Sequence, residues 1–296
     1  MIITNIHQLR DPFLLMANGA YYMYGTGVGP GNDWDNTNWI GFKNDSGRLD
    51  GDWKQIEGDI CVPPQYATKN RWAPEVHEYK GSYYMFTTYF STKTNHRGCT
   101  VFKSESPEGP FVEISDGHIT PAEWDAIDGT LYIDHDGQPW MVFVREWTAT
   151  NDGVGRMVVS KLSDDLTKLI TEPVELFRAD DPSWTNHIVT DGCFLYENAD
   201  GELLMIWSNF APDGYCVGIA KSENGKIDGK WVQQDALLFS KTLSGDYDGG
   251  HGMIFTDTDG TKYICLHSPN NPQGERCEKP ILIPIKEENG TLVCEL

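Results

Sequence analysis

The sequence predicts an all-β fold, a five-bladed β-propeller in a single domain spanning residues 1–296. Three observations predict it. One hairpin pattern recurs five times, its spacing is nearly constant and closes on itself, and no stretch carries the 3.6-residue apolar stripe of a long helix. The runner-up, a β-sandwich, rarely shows a period near 60 residues.

The repeated element is a short apolar strand, a polar turn with Gly, and a second strand rich in aromatic or β-branched residues. In chain order the five copies are DPFLLMANGAYYMYGTG, APEVHEYKGSYYMFTTYF, DGTLYIDHDGQPWMVFVRE, DGCFLYENADGELLMIWSN and GGHGMIFTDTDGTKYICLHS. Their hairpin glycines, Gly19, Gly81, Gly137, Gly201 and Gly260, lie 62, 56, 64 and 59 residues apart, and 55 residues lead from Gly260 round through the C-terminus to Gly19. Further strands follow in GCTVFKSESPEGPFVEI, GRMVVSKLSDDLTKLI and YCVGIAKSENGKIDGKWVQ, so each unit has room for about four. The N-terminal segment is expected to complete the ring beside the last blade.

Bulk properties exclude some partners. With 44 acidic against 23 basic residues the formal charge is −21, which argues against a nucleic acid and against an anionic membrane surface. A small neutral oligosaccharide is compatible. No stretch approaches the ~18 apolar residues of a spanning helix. Seven cysteines, widely spaced and without a CxxC pair, read as free buried thiols in a reducing compartment. With an N-terminus that lacks the features of a leader, they give a cytoplasmic protein as the expectation.

Asp-Gly pairs 136–137, 200–201 and 259–260 are hairpin turns. Asp11, Asp128 and Asp191 are different, because each opens the first strand of its unit. In a propeller those strands line the central channel, so the three carboxylates converge at one mouth from equivalent positions. Converging carboxylates push their pKa values apart, leaving one as a base and another as an acid. Two carboxyl groups about 6.5–9.5 Å apart, with room for water, suit an inverting glycosidase.

These motifs resemble glycoside hydrolase family 43, five-bladed propellers acting on arabinofuranosides, xylosides and some galactosides. The resemblance rests on RDPF (10–13), RWAPEV (71–76), AIDGTLY (126–132), TDGCFLY (190–196) and GGHGMIF (249–255), one motif per blade and in the family's order. It implies that Asp11 is the general base, that Asp128 is the carboxylate that orients the acid and raises its pKa, and that position 191 is the general acid. At that position the family has Glu before Gly-Pro, whereas here Asp191 precedes Gly192-Cys193. Glu75 and Glu146, both at strand ends, are the alternative donors. His251 is similar to the family's channel histidine, which holds water or helps bind a calcium or other ion. No cofactor is otherwise required. Trp72 is a candidate wall for a sugar ring, and Arg276 resembles the family's late arginine near the sugar. Trp34, Trp39 and Trp184 are candidates for shaping subsites.

The implied function is an inverting, exo-acting hydrolase that removes terminal arabinofuranosyl or xylosyl residues in hemicellulose degradation. A related five-bladed glycosidase of other specificity and a non-catalytic sugar-binding propeller remain open alternatives.

Overall fold

The computed structural model describes residues 1–27, 33–270 and 278–296. Five sheets, antiparallel except for one added edge strand, follow one another around a central channel, as expected. The first blade contains Leu9–Ala17, Ala20–Gly27, Asn38–Asn44 and Lys54–Gln55. The second contains Ala67–Tyr79, Ser82–Ser91, His96–Ser104 and Phe111–Glu113, with Cys61–Val62 added in parallel at its outer edge. The third contains Ala126–Ile133, Pro139–Arg145, Arg156–Lys161 and Val174–Arg178, and the fourth Asp191–Glu197, Leu203–Ala211, Gly214–Ser222 and Trp231–Gln233. The fifth is built from Gly250–Thr256, Lys262–Ser268 and Lys279–Glu288. Ile2–Ile3 pairs with Leu282 and Ile281 on its outer side. The first residues thus hold the last blade and close the ring.

The hairpins follow from turn chemistry. Gly19, Gly81, Gly137, Gly201 and Gly260 all adopt φ between +77° and +85°, the left-handed region that favours glycine. Asn18 and Lys80 also have positive φ, so the first two hairpins turn through two consecutive left-handed residues. Among the described residues helix is confined to one turn, Lys241–Ser244, capped by the Ser240 hydroxyl and ended by left-handed Gly245, and to a 3-10 turn at Trp147–Ala149. Among the described residues no helix is long and apolar enough to cross a membrane.

The core is divided as the blades are. Five apolar clusters each lie chiefly between two neighbouring blades, and the last joins Leu9, Phe13 and Met23 of the first blade to Met253, Phe255 and Cys265 of the fifth. Each sheet therefore buries both faces, which explains why its strands read as nearly continuous apolar runs rather than strict alternation. Phe102 shows the consequence. It is fully buried in the second blade and packs edge-on against Trp39 of the first at 5.4 Å. Phe102→Ala should lower folding stability by about 3–5 kcal/mol, read as a lower denaturation midpoint in guanidinium with an unchanged slope.

Candidate active site

The inner strands share one irregularity. Each has a bulge at the same mouth of the channel, between Arg10 and Phe13, Trp72 and Glu75, Ile127 and Thr130, Asp191 and Phe194, and Gly250 and Met253. At each bulge one residue is left-handed: Asp11 (φ 52°), Ala73 (44°), Asp128 (55°), Gly192 (35°) and His251 (47°). A non-glycine residue held there costs on the order of 1–3 kcal/mol, so its surroundings must enforce it.

The enforcing contacts run around the ring. Each bulge amide donates to a side chain of the preceding blade. Ala73 N–H donates to Thr26 Oγ1 (2.7 Å), Asp128 N–H to Thr88 Oγ1 (3.1 Å), His251 N–H to Ser208 Oγ (2.8 Å) and Asp11 N–H to His267 Nδ1 (3.2 Å). These four acceptors sit at one register position, opposite Arg10, Trp72, Asp191 and Gly250. In the third blade that position, opposite Ile127, is Val144, which has no acceptor. Gly192 N–H instead donates to the Asp128 carboxylate, Oδ2 at 3.0 Å.

This register corrects the expectation of three equivalent aspartates. Asp11 and Asp128 are bulge residues, but in the fourth blade the bulge residue is Gly192. Asp191 stands one place earlier, level with Arg10, Trp72, Ile127 and Gly250. The second half of the Asp191-Gly192 pair has a steric reason as well, since a Cβ on Gly192 would lie 2.5 Å from the His251 ring.

Four titratable groups then share one buried space. His251 Nδ1 lies 3.3 Å from Asp11 Oδ1 and 3.8 Å from Asp128 Oδ2. Asp11 also accepts from the Thr26 hydroxyl at 2.6 Å. Burial alone would push the Asp11 carboxyl up, but His251, Arg10, His267 and the Thr26 hydroxyl together hold it below the usual carboxylate range. Asp128 goes the other way. Burial raises it to about 6, against His251, and the Asp11 charge adds to the rise. Asp191 is held well above the ordinary range by burial and then by the charge of Asp128. Its Oδ2 accepts from the Tyr215 hydroxyl at 3.0 Å. The His251 imidazole loses hydration, yet Asp11, Asp128 and Asp191 outweigh that and raise it. His267 is fully buried, and burial followed by Arg10 depresses it, leaving its Nδ1 free to accept.

A cavity of about 270 Å³ opens over this cluster, lined by Asp11, Asp128, Asp191 and His251 and walled by Trp34, Trp72, Trp147 and Phe210. Trp72 and Trp34 therefore stand where sugar-binding walls were expected, at right angles with ring centroids 6.1 Å apart. Trp39 and Trp184 do not. Trp39 belongs to the core between the first two blades, and Trp184 packs on Trp207. Arg276 lies outside the described residues.

The alternative acids have other partners. Glu146 lines the cavity and its two oxygens take a bidentate pair from Arg97 at 2.8 and 3.0 Å, while burial, against Arg97, pushes its carboxyl up. Glu75 is buried below the bulge level and contacts His77 Nε2 at 3.1 Å. The calcium expected at His251 would need ligands beyond the imidazole. The His251 Nδ1 faces carboxylates, calcium takes 6–8 oxygen ligands, and among the described residues no three His, Cys, Asp or Glu side chains group as metal ligands.

Sequence reasoning missed Arg10, Tyr215, Phe210 and Asn270, which also line the cavity. Arg10 was visible beside Asp11. The aromatics carry no signal that separates a pocket wall from a core strand.

Comparison with known proteins supports the resemblance. Residues 5–286 match the family model for glycosyl hydrolases family 43. The chain belongs to glycosyl hydrolases family 43. Among solved structures of similar fold are an endo-arabinase from Bacteroides thetaiotaomicron VPI-5482 (35% identity, TM-score 0.83, 98% of each chain covered) and an endo-1,4-β-xylanase from the same organism (25%, 0.80, covering 100% of this chain and 97% of that one). A curated relative is the extracellular exo-α-(1→5)-L-arabinofuranosidase of Cellvibrio japonicus, 27% identical over 175 residues, covering 54% of this chain and 45% of the relative. The match thus spans less than half of that relative's length.

This last name corrects the cytoplasmic expectation, because a relative named as extracellular points to secretion instead. The physical reason the cysteines misled is burial. Cys61, Cys99, Cys193, Cys216 and Cys265 are free and buried in the blades, and burial pushes the Cys216 thiol up to about 12. Such thiols are inert in either compartment.

The two histidines give a direct check of the charge pattern. In an NMR titration His251 should take up its proton at a higher pH than a free imidazole, and His267 at a lower one. Asp11→Asn removes the carboxylate nearest His251 and should move its titration downward. Coincident, unshifted curves would show that the cluster is solvated rather than sealed.

Proposed function

We propose that this chain is an inverting, exo-acting glycoside hydrolase that releases terminal α-L-arabinofuranosyl residues from small neutral oligosaccharides outside the cytoplasm. The observation that carries the reading is one buried cavity holding a carboxylate kept low, Asp11, and a carboxyl kept high, Asp191. Asp11, ionised at neutral pH, takes a proton from water as the water oxygen bonds to the anomeric carbon. Asp191 gives its proton to the glycosidic oxygen as that bond breaks and the electron pair leaves with the oxygen. Asp128 acts on Asp191 through its charge and holds the backbone beside it through Gly192 N–H.

The sugar class rests on the family and on the arabinan-directed names of the relatives, with a xylosyl substrate supported by the xylanase of similar fold. The 35%-identical endo-arabinase favours a second reading, cleavage within an arabinan chain. A panel of nitrophenyl glycosides, followed by product analysis on linear arabinan, tests all of these. Release of monosaccharide alone supports exo action, and a ladder of oligomers supports endo action. Proton NMR of the first-formed sugar should show the inverted anomer, and a retained one would turn a carboxylate into a nucleophile and overturn the roles.

Asp11→Ala should lower turnover by ~10²–10⁴-fold in a chain that still folds, with a lower melting temperature because a buried partner of His251 and Thr26 is gone. Wild-type turnover would remove Asp11 from the mechanism. Asp191→Asn should be slow on poor leaving groups and much less impaired on a dinitrophenyl glycoside, whose leaving group departs without a proton.

The pH profile gives another expectation. The Asp128 charge disfavours ionisation of Asp191, so Asp128→Asn lowers the pH at which Asp191 loses its proton. Since the acid must be protonated, the basic limb of the profile should move to lower pH. An unmoved or raised limb would separate Asp128 from the acid.

A further inference from the structure

The geometry points to Tyr215 as a positioning residue for Asp191, its hydroxyl holding one carboxyl oxygen so that the other carries the transferable proton. This rests on the proposed acid role of Asp191. Among the described residues the Tyr215 hydroxyl is the one hydrogen-bond donor to the Asp191 side chain, reaching Oδ2 at 3.0 Å. A hydroxyl that donates to Oδ2 leaves Oδ1 as the oxygen that bears hydrogen and can face a glycosidic oxygen in the cavity.

The phenol is built into place from three sides. Tyr215 is 1% exposed. Its ring lies near-parallel to the His267 imidazole at 5.7 Å and against Phe210 at 5.0 Å. Its backbone N–H is tied to Asp248 Oδ2 at 3.1 Å. On the remaining side Gly250 makes the room, since a Cβ there would lie 2.5 Å from Tyr215 Cε1. A buried phenol needs a partner, and here the partner is Asp191.

The arrangement bears on the shortened acid. Position 191 lacks the methylene that a glutamate would have, and its carboxyl is tied to a rigid hydroxyl. When the proton leaves, the same hydroxyl stabilises the carboxylate. Tyr215 cannot replace the acid, because burial, then the neighbouring Asp191, pushes the phenol well above its ordinary range. The charges facing Asp191 are Asp128, Asp11 and His251, and the first two raise it while His251 and the Tyr215 hydroxyl lower it. Removing the hydroxyl therefore raises Asp191 further.

Tyr215→Phe keeps the ring and its packing. It should lower kcat/KM on an unactivated arabinofuranosyl disaccharide by roughly 10- to 100-fold, the size of a lost hydrogen bond to a charged group. A dinitrophenyl arabinofuranoside should be cleaved at nearly the wild-type rate, and the basic limb should move to higher pH. Equal losses on both substrates with an unmoved limb would make Tyr215 a packing residue and overturn the proposal. Asp191→Asn is run beside it. If that variant shows no leaving-group dependence, the acid reading itself fails. If it does and Tyr215→Phe does not, only the role of Tyr215 fails. Should Tyr215→Phe melt early, a cycle with Asp191→Glu decides. The longer carboxyl passes the hydroxyl, so Tyr215→Phe should cost much less in that background. The same cost in both backgrounds would overturn the pairing.

Discussion

The structure depends on one constraint, the hydrogen bond that ties each inner-strand bulge to the blade before it. A bulge leaves an amide without a ladder partner, and a buried amide cannot be left so. Thr26, Thr88, Ser208 and His267 each supply an acceptor to the next blade. The five bonds form a closed circle, so they fix the blades against one another at the mouth where the charges collect. The left-handed backbone at Asp11, Ala73, Asp128 and His251 persists because this circle holds it.

The circle also explains why charge is separated where it is. Val144 breaks the run of polar acceptors, and the Asp128 carboxylate fills the gap by taking Gly192 N–H. Asp128 is thereby a structural pin and a member of the charge cluster at once. Its oxygen is held next to the backbone of Asp191, where its charge is felt most strongly. On the other flank Asp11 sits between two histidines, an arginine and a hydroxyl, and stays ionised despite burial. The same fold element therefore yields a low carboxylate and a high one, from different neighbours.

The sequence made the five units, the hairpins and ring closure legible because these rest on local chemistry. A glycine at φ near +80° and an aromatic strand leave marks at fixed spacing. The convergence of Asp11, Asp128 and Asp191 was legible for the same reason. Their register was not. Asp128-Gly129 and Asp191-Gly192 are the same dipeptide, yet the left-handed residue is the aspartate in one and the glycine in the other. The glycine at 192 answers to a neighbour far away in sequence, the His251 ring that excludes a Cβ there. Tyr215 was hidden for a similar reason, since a tyrosine on a second hairpin looks like core until Gly250 is placed against it.

That offset of one residue carries functional weight in the proposed mechanism. An inverting site needs its acid and base far enough apart to admit water and sugar between them. Equivalent bulge positions crowd their side chains toward the channel axis, as His251 shows by lying within ion-pair distance of both Asp11 and Asp128. An acid at the bulge position of the fourth blade would join that crowd. Placing it one residue earlier, level with Arg10 and Trp72, moves it to the rung that walls the cavity and leaves glycine at the crowded rung. The proposed base then stands at a bulge position and the proposed acid one residue before one, so a single fivefold framework yields two kinds of place for two carboxyl groups.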